Sequence, residues 1–103
     1  MDTTVAVTDN ADLERYEITA DGALAGFTAY RRRPGLIAFT HTEIDPAFEG
    51  RGLGGRLVGT ALDEARAQDL LVLPFCPFTN AYIQRHPEYA GLVPDAFREK
   101  FGL

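Results

Sequence analysis

The chain has 103 residues and a mass of 11.3 kDa, which predicts one domain over residues 1–103. Its 46% hydrophobic residues exclude a disordered or low-complexity chain, and its net charge of −5 argues against nucleic-acid binding, which needs a basic surface. A single cysteine excludes an internal disulfide and a cysteine-based zinc cluster, so we expect no metal and a reducing, cytoplasmic location.

The first half of the sequence alternates apolar and polar residues with the period of two that is typical of antiparallel strands. Asp21-Gly22 favours a two-residue hairpin turn, and Pro34-Gly35 predicts a second turn. Asp9-Asn10 predicts that a short first strand ends there. The predicted strands of this antiparallel meander cover residues 5–7, 13–19, 24–31 and 36–44.

Beyond residue 45 the apolar period becomes helical. Apolar residues at positions 53, 57, 58, 61, 62 and 65 form one stripe, which predicts an amphipathic helix. Residues 70–75 are apolar on both faces and predict a buried strand that is covered on both sides. The whole apolar run of 70–78 is too short for a membrane span, which needs about 20 residues. Short helices are expected over 80–86 and 95–101.

A helix between two strands indicates one crossover, which requires parallel pairing of the strands that it joins. The predicted fold is therefore α+β, or mixed α/β. An antiparallel meander is followed by a glycine-rich loop, one crossover helix, a last parallel strand and short C-terminal helices. We expect neither a membrane nor a nucleic acid as a partner.

Four glycines, at positions 50, 52, 54 and 55, lie between the long strand and the amphipathic helix. Glycine permits positive φ and close approach of a ligand, and a helix N-terminus offers unpaired N–H groups to a phosphate. The alternative is an ordinary tight turn. The spacing also matches the dinucleotide fingerprint G-x-G-x-x-G, but the preceding meander and the short chain argue against a doubly wound fold. A P-loop is excluded because no Gly-Lys-Ser or Gly-Lys-Thr follows.

Two parts of the sequence carry a resemblance to a known family. The segment Glu49 to Gly54 resembles the pyrophosphate loop Gln/Arg-x-x-Gly-x-Gly/Ala of the GCN5-related N-acetyltransferases, with glutamate in place of the usual first residue. The segments Cys76 to Phe78 and Arg85 to Tyr89 are similar to those of the minimal, single-domain branch of that family. The resemblance covers roughly residues 14–93. It implies that two parallel strands splay apart and hold the pantetheine arm of acetyl-CoA between them.

The resemblance also implies which residues bind acetyl-CoA. The long strand would lie along the pantetheine arm, and the glycine loop would bind the pyrophosphate. The implied cofactor-binding residues are Thr42, Ile44, Gly50, Arg51, Gly52, Leu53, Gly54, Gly55, Arg56, Phe78 and Tyr82. Arg51 and Arg56 are either phosphate ligands or solvated helix residues. Tyr82 is either a general acid or a residue that packs against the cofactor.

Three residues are implied at the reaction centre: His41, Glu43 and Cys76. The resemblance implies that the His41 and Cys76 side chains meet where the acetyl group lies. Cys76 either attacks the thioester, lines the site, or is a buried core residue. His41 is either a base or a structural histidine. Glu43 accepts the amine proton through water, orients His41, or is a surface carboxylate.

These residues lead to one functional expectation and one alternative. The resemblance implies an acetyl-CoA-dependent N-acetyltransferase that acts on an amine of a small molecule or a protein lysine. Direct attack of the amine on the thioester is favoured over transfer through Cys76. The alternative is a non-catalytic module that binds or senses acyl-CoA, which would share the glycine loop but need no base.

Overall fold

The computed structural model describes residues 4–103 and contains one five-stranded sheet in the order β1-β2-β3-β4-β5. The strands are β1 (Val5–Asn10), β2 (Arg15–Ala20), β3 (Ala23–Arg33), β4 (Leu36–Ile44) and β5 (Leu71–Pro74). The helices are α1 (Leu53–Ala67), α2 (Pro77–Arg85) and α3 (Asp95–Arg98), with short 3₁₀ helices at Ala11–Leu13, Pro46–Phe48 and Pro87–Leu92. Among residues 4–103 no helix is long and apolar enough to cross a membrane, and no three His, Cys, Asp or Glu side chains gather as metal ligands.

The predicted meander and crossover are confirmed. Strands β1 to β4 pair antiparallel in sequence order, and β5 pairs parallel with β4 after the crossover through α1. The predicted turn at Asp9-Asn10 is wrong, because both residues pair with β2. The chain reverses instead through the 3₁₀ helix Ala11–Leu13, which Glu14 ends in the left-handed conformation at φ 51°.

The prediction that the last strand is covered on both sides is also wrong. Strand β5 lies at the edge of the sheet, so its backbone pairs on one side only. Val72 faces the core and is fully buried, whereas Leu71 on the other face is 44% exposed. The helices therefore cover one face of this strand, and its second apolar face stays open.

One hydrophobic core lies between the sheet and α1. The predicted stripe of α1 is buried, including Leu57, Leu62 and Ala65, and it packs in one cluster with Ile18 and Phe39 of the sheet. Full burial of each Leu or Ile side chain contributes about 1.5–3 kcal/mol. This packing holds α1 against the sheet and brings the glycine loop to the end of β4.

A bulge in β4 decides which of its side chains face the helices. Ala29 pairs with His41 and Tyr30 pairs with Phe39, which leaves Thr40 as an extra residue in the ladder. One extra residue reverses the alternation of faces beyond it. Phe39 faces the core, and after the bulge Thr42 is on that same side of the sheet while His41 is on the other.

Candidate functional site

Strands β4 and β5 part after four residue pairs. Their parallel pairing covers Leu36–Phe39 and Leu71–Pro74. The Cys76 N–H then donates to the Phe39 carbonyl oxygen at 2.9 Å, and the chain turns away into α2. Residues 40–44 of β4 therefore continue without β5 as a neighbour. This is the splayed geometry that the sequence led us to expect.

A cavity of about 520 Å³ lies between the end of β4 and the start of α1. Most of the expected cofactor residues line it, namely Thr42, Ile44, Gly50, Gly52, Leu53, Gly54, Gly55 and Phe78. Phe48, Glu49 and Arg85 line it as well and were not expected. Arg85 is at the end of α2, and nothing in its local sequence indicates that α2 turns this end toward the glycine loop.

The glycine loop leaves the start of α1 open to the cavity. Gly50 and Gly52 have φ values of 80° and 73°, a conformation that side-chain-bearing residues rarely adopt. Gly52 caps α1, and no side chain accepts a hydrogen bond from the first turn. Because the first intrahelical bond runs from the Arg56 N–H to the Gly52 carbonyl, the N–H groups of residues 53–55 have no partner within the helix. Such a helix end attracts an anion.

Gly54 has a different role from the loop glycines. A Cβ atom at Gly54 would lie 2.6 Å from the Phe78 Cζ atom, so its absence lets α2 pack against the first turn of α1. At Gly55 a Cβ atom would be in ordinary contact with Tyr82, at 3.6 Å. The glycine cluster therefore serves helix packing as well as access to the backbone.

Three expected cofactor residues do not line the cavity. The Arg51 guanidinium lies 5.3 Å from the centre of the Phe48 ring, and Arg56 is exposed on α1. The Tyr82 ring stacks on His86 at 4.2 Å. Neither Arg51 nor Arg56 reaches the cavity wall. Arg85 supplies the positive charge there instead.

Cys76 begins α2 and contacts Thr42 rather than a histidine. Its thiol is buried, with 3% exposure, and donates a hydrogen bond to Thr42 Oγ1 at 3.3 Å. The Thr42 hydroxyl is in turn 2.9 Å from the hydroxyl of Thr28, which is fully buried. A chain of three side chains thus runs from β3 across β4 to the start of α2.

The surroundings of Cys76 favour its thiolate. Burial raises the pKa of the thiol, but hydrogen bonds from Thr42 and from the backbone N–H groups of Phe78 and Thr79 outweigh burial, so the pKa lies below its usual range. The Thr79 hydroxyl, which is buried and has no other hydrogen-bond partner within residues 4–103, adds to this effect. Cys76 is therefore a more acidic thiol than an ordinary buried cysteine.

His41 and Cys76 do not meet, and the expectation that they would is wrong. His41 Nε2 lies 3.2 Å from Glu43 Oε1, and its ring is 6.0 Å from that of Phe27, edge to face. Both His41 and Glu43 are more than half exposed, on the face of the sheet away from Thr42. The physical reason is the extra residue Thr40, which reverses the alternation of faces between Phe39 and His41.

A family model described as GCN5-related N-acetyl-transferase matches residues 15–92, which is more than half of the chain. The matched region includes strands β2 to β5, the glycine loop, α1, α2 and Cys76. A search of curated proteins gives no match.

Proposed function

Because the chain belongs to the GCN5-related N-acetyltransferase family, whose members transfer acyl groups, we propose that it transfers the acetyl group of acetyl-CoA to an amine. The acceptor is an amine of a small molecule or a protein lysine. The segments Cys76 to Phe78 and Arg85 to Tyr89 resemble those of the minimal, single-domain branch of the family, which supports placing the chain in that branch.

One observation carries this proposal: the uncapped N-terminus of α1 opens into the cavity at the end of the splayed strands. Its unpaired N–H groups and the positive end of the helix dipole suit a pyrophosphate, and Arg85 adds a cation. Residues 40–44 of β4 offer an edge without a β5 neighbour to the amides of a pantetheine arm. Glu49 also lines the cavity, and its carboxylate opposes the phosphate unless it turns outward.

The side chains suit direct attack of the amine on the thioester carbonyl. The nitrogen forms a bond to the carbonyl carbon, the carbon–sulfur bond breaks, and the sulfur leaves as a thiolate. Glu43, paired with His41 on the opposite face of β4 from Thr42, receives the proton of the ammonium group through water at the open edge of residues 40–44. Cys76 is buried behind Thr42, which lines the cavity. Its thiol donates a proton to the leaving sulfur and regains one from the nitrogen of the new amide, which is the second proton that the ammonium group loses. Transfer of the acetyl group through Cys76 is the second possibility.

The first experiment is a thermal shift with acetyl-CoA, CoA, NAD and ATP. Ligand at 100 times its Kd stabilises a protein by about 2.7 kcal/mol, which for a domain of this size raises Tm by about 10–20 °C. We expect that rise with acetyl-CoA and CoA only. No shift with either ligand, or a larger shift with NAD, would contradict the assignment of the cavity.

Two variants at one position sharpen this experiment. Gly55→Asp places a carboxylate at the cavity, where it repels phosphate, and in the first turn of α1, where it suits the helix dipole. We expect the variant to fold with unchanged or higher Tm and to lose the shift with CoA. Gly55→Ala is the matched control and keeps the shift, because its Cβ atom meets only an ordinary contact. Retention of the shift in Gly55→Asp would show that CoA binds elsewhere.

A further inference from the structure

A second cavity, of about 620 Å³, adjoins the first between the start of β3 and the end of β4. Its walls are residues 24–27 of β3 and residues 42–46 at the end of β4. The two cavities share Thr42 and Ile44. Because the Cys76 thiol bonds to Thr42, a molecule in the second cavity lies one side chain away from the proposed reaction centre.

The second cavity carries negative charge. Glu43 and Asp45 are the only charged residues in its walls. Asp45 Oδ1 accepts a hydrogen bond from the Ala47 N–H at 2.9 Å, and within residues 4–103 Asp45 makes no ion pair. The ion-pair partner of Glu43 is His41, which carries charge only in its protonated form. The cavity therefore attracts a cation and repels a carboxylate or a phosphate.

The remaining wall is apolar and accessible. Leu24 is 47% exposed, and Phe27 also lines this wall. The Arg15 guanidinium lies 4.5 Å from the centre of the Phe27 ring and is paired with Glu17. At Gly26 a Cβ atom would collide with the Glu43 carbonyl oxygen, so the wall between the two strands carries no side chain there. An unbranched alkyl chain would cover the exposed part of Leu24 while its charged end reaches the carboxylates.

We propose that this cavity receives the acceptor, a primary ammonium on an unbranched alkyl chain whose far end is neutral or positive. Glu43 and Asp45 attract the ammonium, and Leu24 and Phe27 contact the chain. Thr42, which is on the opposite face of β4 from Glu43, marks the side of the cavity nearest the thioester. A lysine side chain and a free alkyl diamine share this chemistry. The inference rests on the proposed function and adds to it the place and the charge preference of the acceptor.

Three amines of equal length test the charge preference: 1,5-diaminopentane, pentylamine and 5-aminopentanoate. We expect kcat/KM to fall in that order, with about five- to tenfold between the first and the last. The two exposed carboxylates attract the reacting ammonium of all three amines, and at longer range they also favour a positive tail over a negative one. In the double variant Glu43→Gln, Asp45→Asn, we expect the kcat/KM values of the three amines to become similar, even if all three values fall. Asn at position 45 still caps the 3₁₀ helix, which protects the fold.

Asp12→Asn is the matched control. It removes the same charge from an exposed carboxylate outside both cavities, and the order of the three amines is expected to stay. A blocked lysine tripeptide, assayed beside the diamine, distinguishes a protein acceptor from a free amine. The inference is overturned if the double variant keeps the wild-type order or if the anionic amine is preferred.

The failure of this inference is distinguishable from failure of the proposed function. If the double variant acetylates the three amines with the wild-type order of kcat/KM, the acceptor cavity is rejected but the proposed function is not. If none of the three amines is acetylated, their equilibrium binding, measured by NMR titration of the full chain with CoA present, is expected to follow the same order. Equal binding of all three rejects the cavity, whereas absence of a CoA-induced thermal shift rejects the proposed function.

Discussion

At the scale of single residues, the proposed role of Cys76 depends on its hydrogen bond to Thr42. When the thiol ionises, the Thr42 hydroxyl turns to donate to the sulfur and accepts a hydrogen bond from Thr28. Because Thr28 is fully buried, water does not compete with this arrangement, and each hydrogen bond strengthens the next. The two hydroxyls thus position the sulfur and stabilise its charge.

Thr42→Val removes the side chain that donates to the sulfur, and we expect the pKa of Cys76 to rise. The variant loses the largest of the effects that lower this pKa, while burial still raises it and only the backbone N–H groups of α2 and the Thr79 hydroxyl still favour the thiolate. A pH titration of the ultraviolet absorbance of the thiolate measures the change. Thr40→Val is the control, since it removes an exposed hydroxyl from the same strand. An unchanged titration in Thr42→Val would contradict the role of this residue.

The direct mechanism predicts that Cys76 carries no acetyl group during turnover. After incubation with acetyl-CoA and no amine, we expect mass spectrometry to show no adduct on Cys76. The variant Cys76→Ser keeps a hydrogen-bonding side chain but is a much weaker proton donor, and turnover should fall by about 100-fold, the lower end of the range for loss of one general acid. A persistent acetyl adduct that disappears in Cys76→Ser would instead support transfer through the cysteine.

At the scale of secondary structure, Gly26 holds β3 and β4 together next to the proposed acceptor cavity. It pairs with Ile44 in the ladder, and a Cβ atom there would collide with the Glu43 carbonyl oxygen and lie 2.6 Å from the Ile44 Cδ1 atom. The first of these obstacles is backbone, which cannot swing aside as a side chain can. Any larger residue must therefore push the two strands apart.

We accordingly expect Gly26→Ala to destabilise the fold by about 1–3 kcal/mol, the range for overpacking of a closely packed site. Gly91→Ala is the matched control, because a Cβ atom at Gly91 meets nothing within 4 Å, and its effect should stay below about 0.5 kcal/mol. Urea unfolding of both variants measures the difference. Equal stability of the two variants would mean that the strands shift at no cost.

Local signals predict some elements better than others. The bounds of β4 agree with the sequence, and α1 begins at Leu53, because the period of their apolar residues and the flanking glycines are local features. Strand β1 continues through Asp9 because Asp9 pairs with Tyr16. This pairing joins two strands, so the residues around Asp9 do not by themselves predict it. The early start of α2 at Pro77 follows from the turn at Cys76, where the chain leaves the sheet.

At the scale of the whole molecule, all four tyrosines have raised pKa values, Tyr82 through burial, and this makes the stability of the fold depend on alkaline pH. Burial, with the nearby Glu64 carboxylate, holds the pKa of Tyr16 well above its usual range. Burial and then a hydrogen bond to Asp9 raise the pKa of Tyr30 to about 12. At Tyr89 the hydrogen bond to Asp63, followed by burial, raises the pKa to about 12.

These shifts predict a loss of stability at high pH. The unfolded chain releases tyrosine protons above about pH 10, whereas the folded chain keeps them, so the free energy of unfolding falls as pH rises from there toward 12. Below pH 10 both states are protonated, and these groups add no pH dependence. Urea unfolding at several pH values from 8 to about 11.5 measures the decline.

Tyr89→Phe provides the comparison. It loses the 2.7 Å hydrogen bond to Asp63, which lowers stability at pH 8 by about 1–3 kcal/mol. Since it also removes one of the four tyrosines with raised pKa values, its stability should decline less steeply than that of the wild type. If the free energy of unfolding falls equally steeply with pH in the variant and the wild type, Tyr89 does not contribute to the pH dependence.

The sequence by itself determined the meander, the crossover and the glycine-rich start of α1, because turn residues, apolar periods and glycine conformations act over a few residues. Only the tertiary structure decided that Thr42 and not His41 meets Cys76, and that Arg85 reaches the cavity. The reason is that Thr40 becomes an extra residue only when β4 pairs with β3, and a shift of one residue reverses every later side chain. Such a shift leaves no local trace in the composition of either strand.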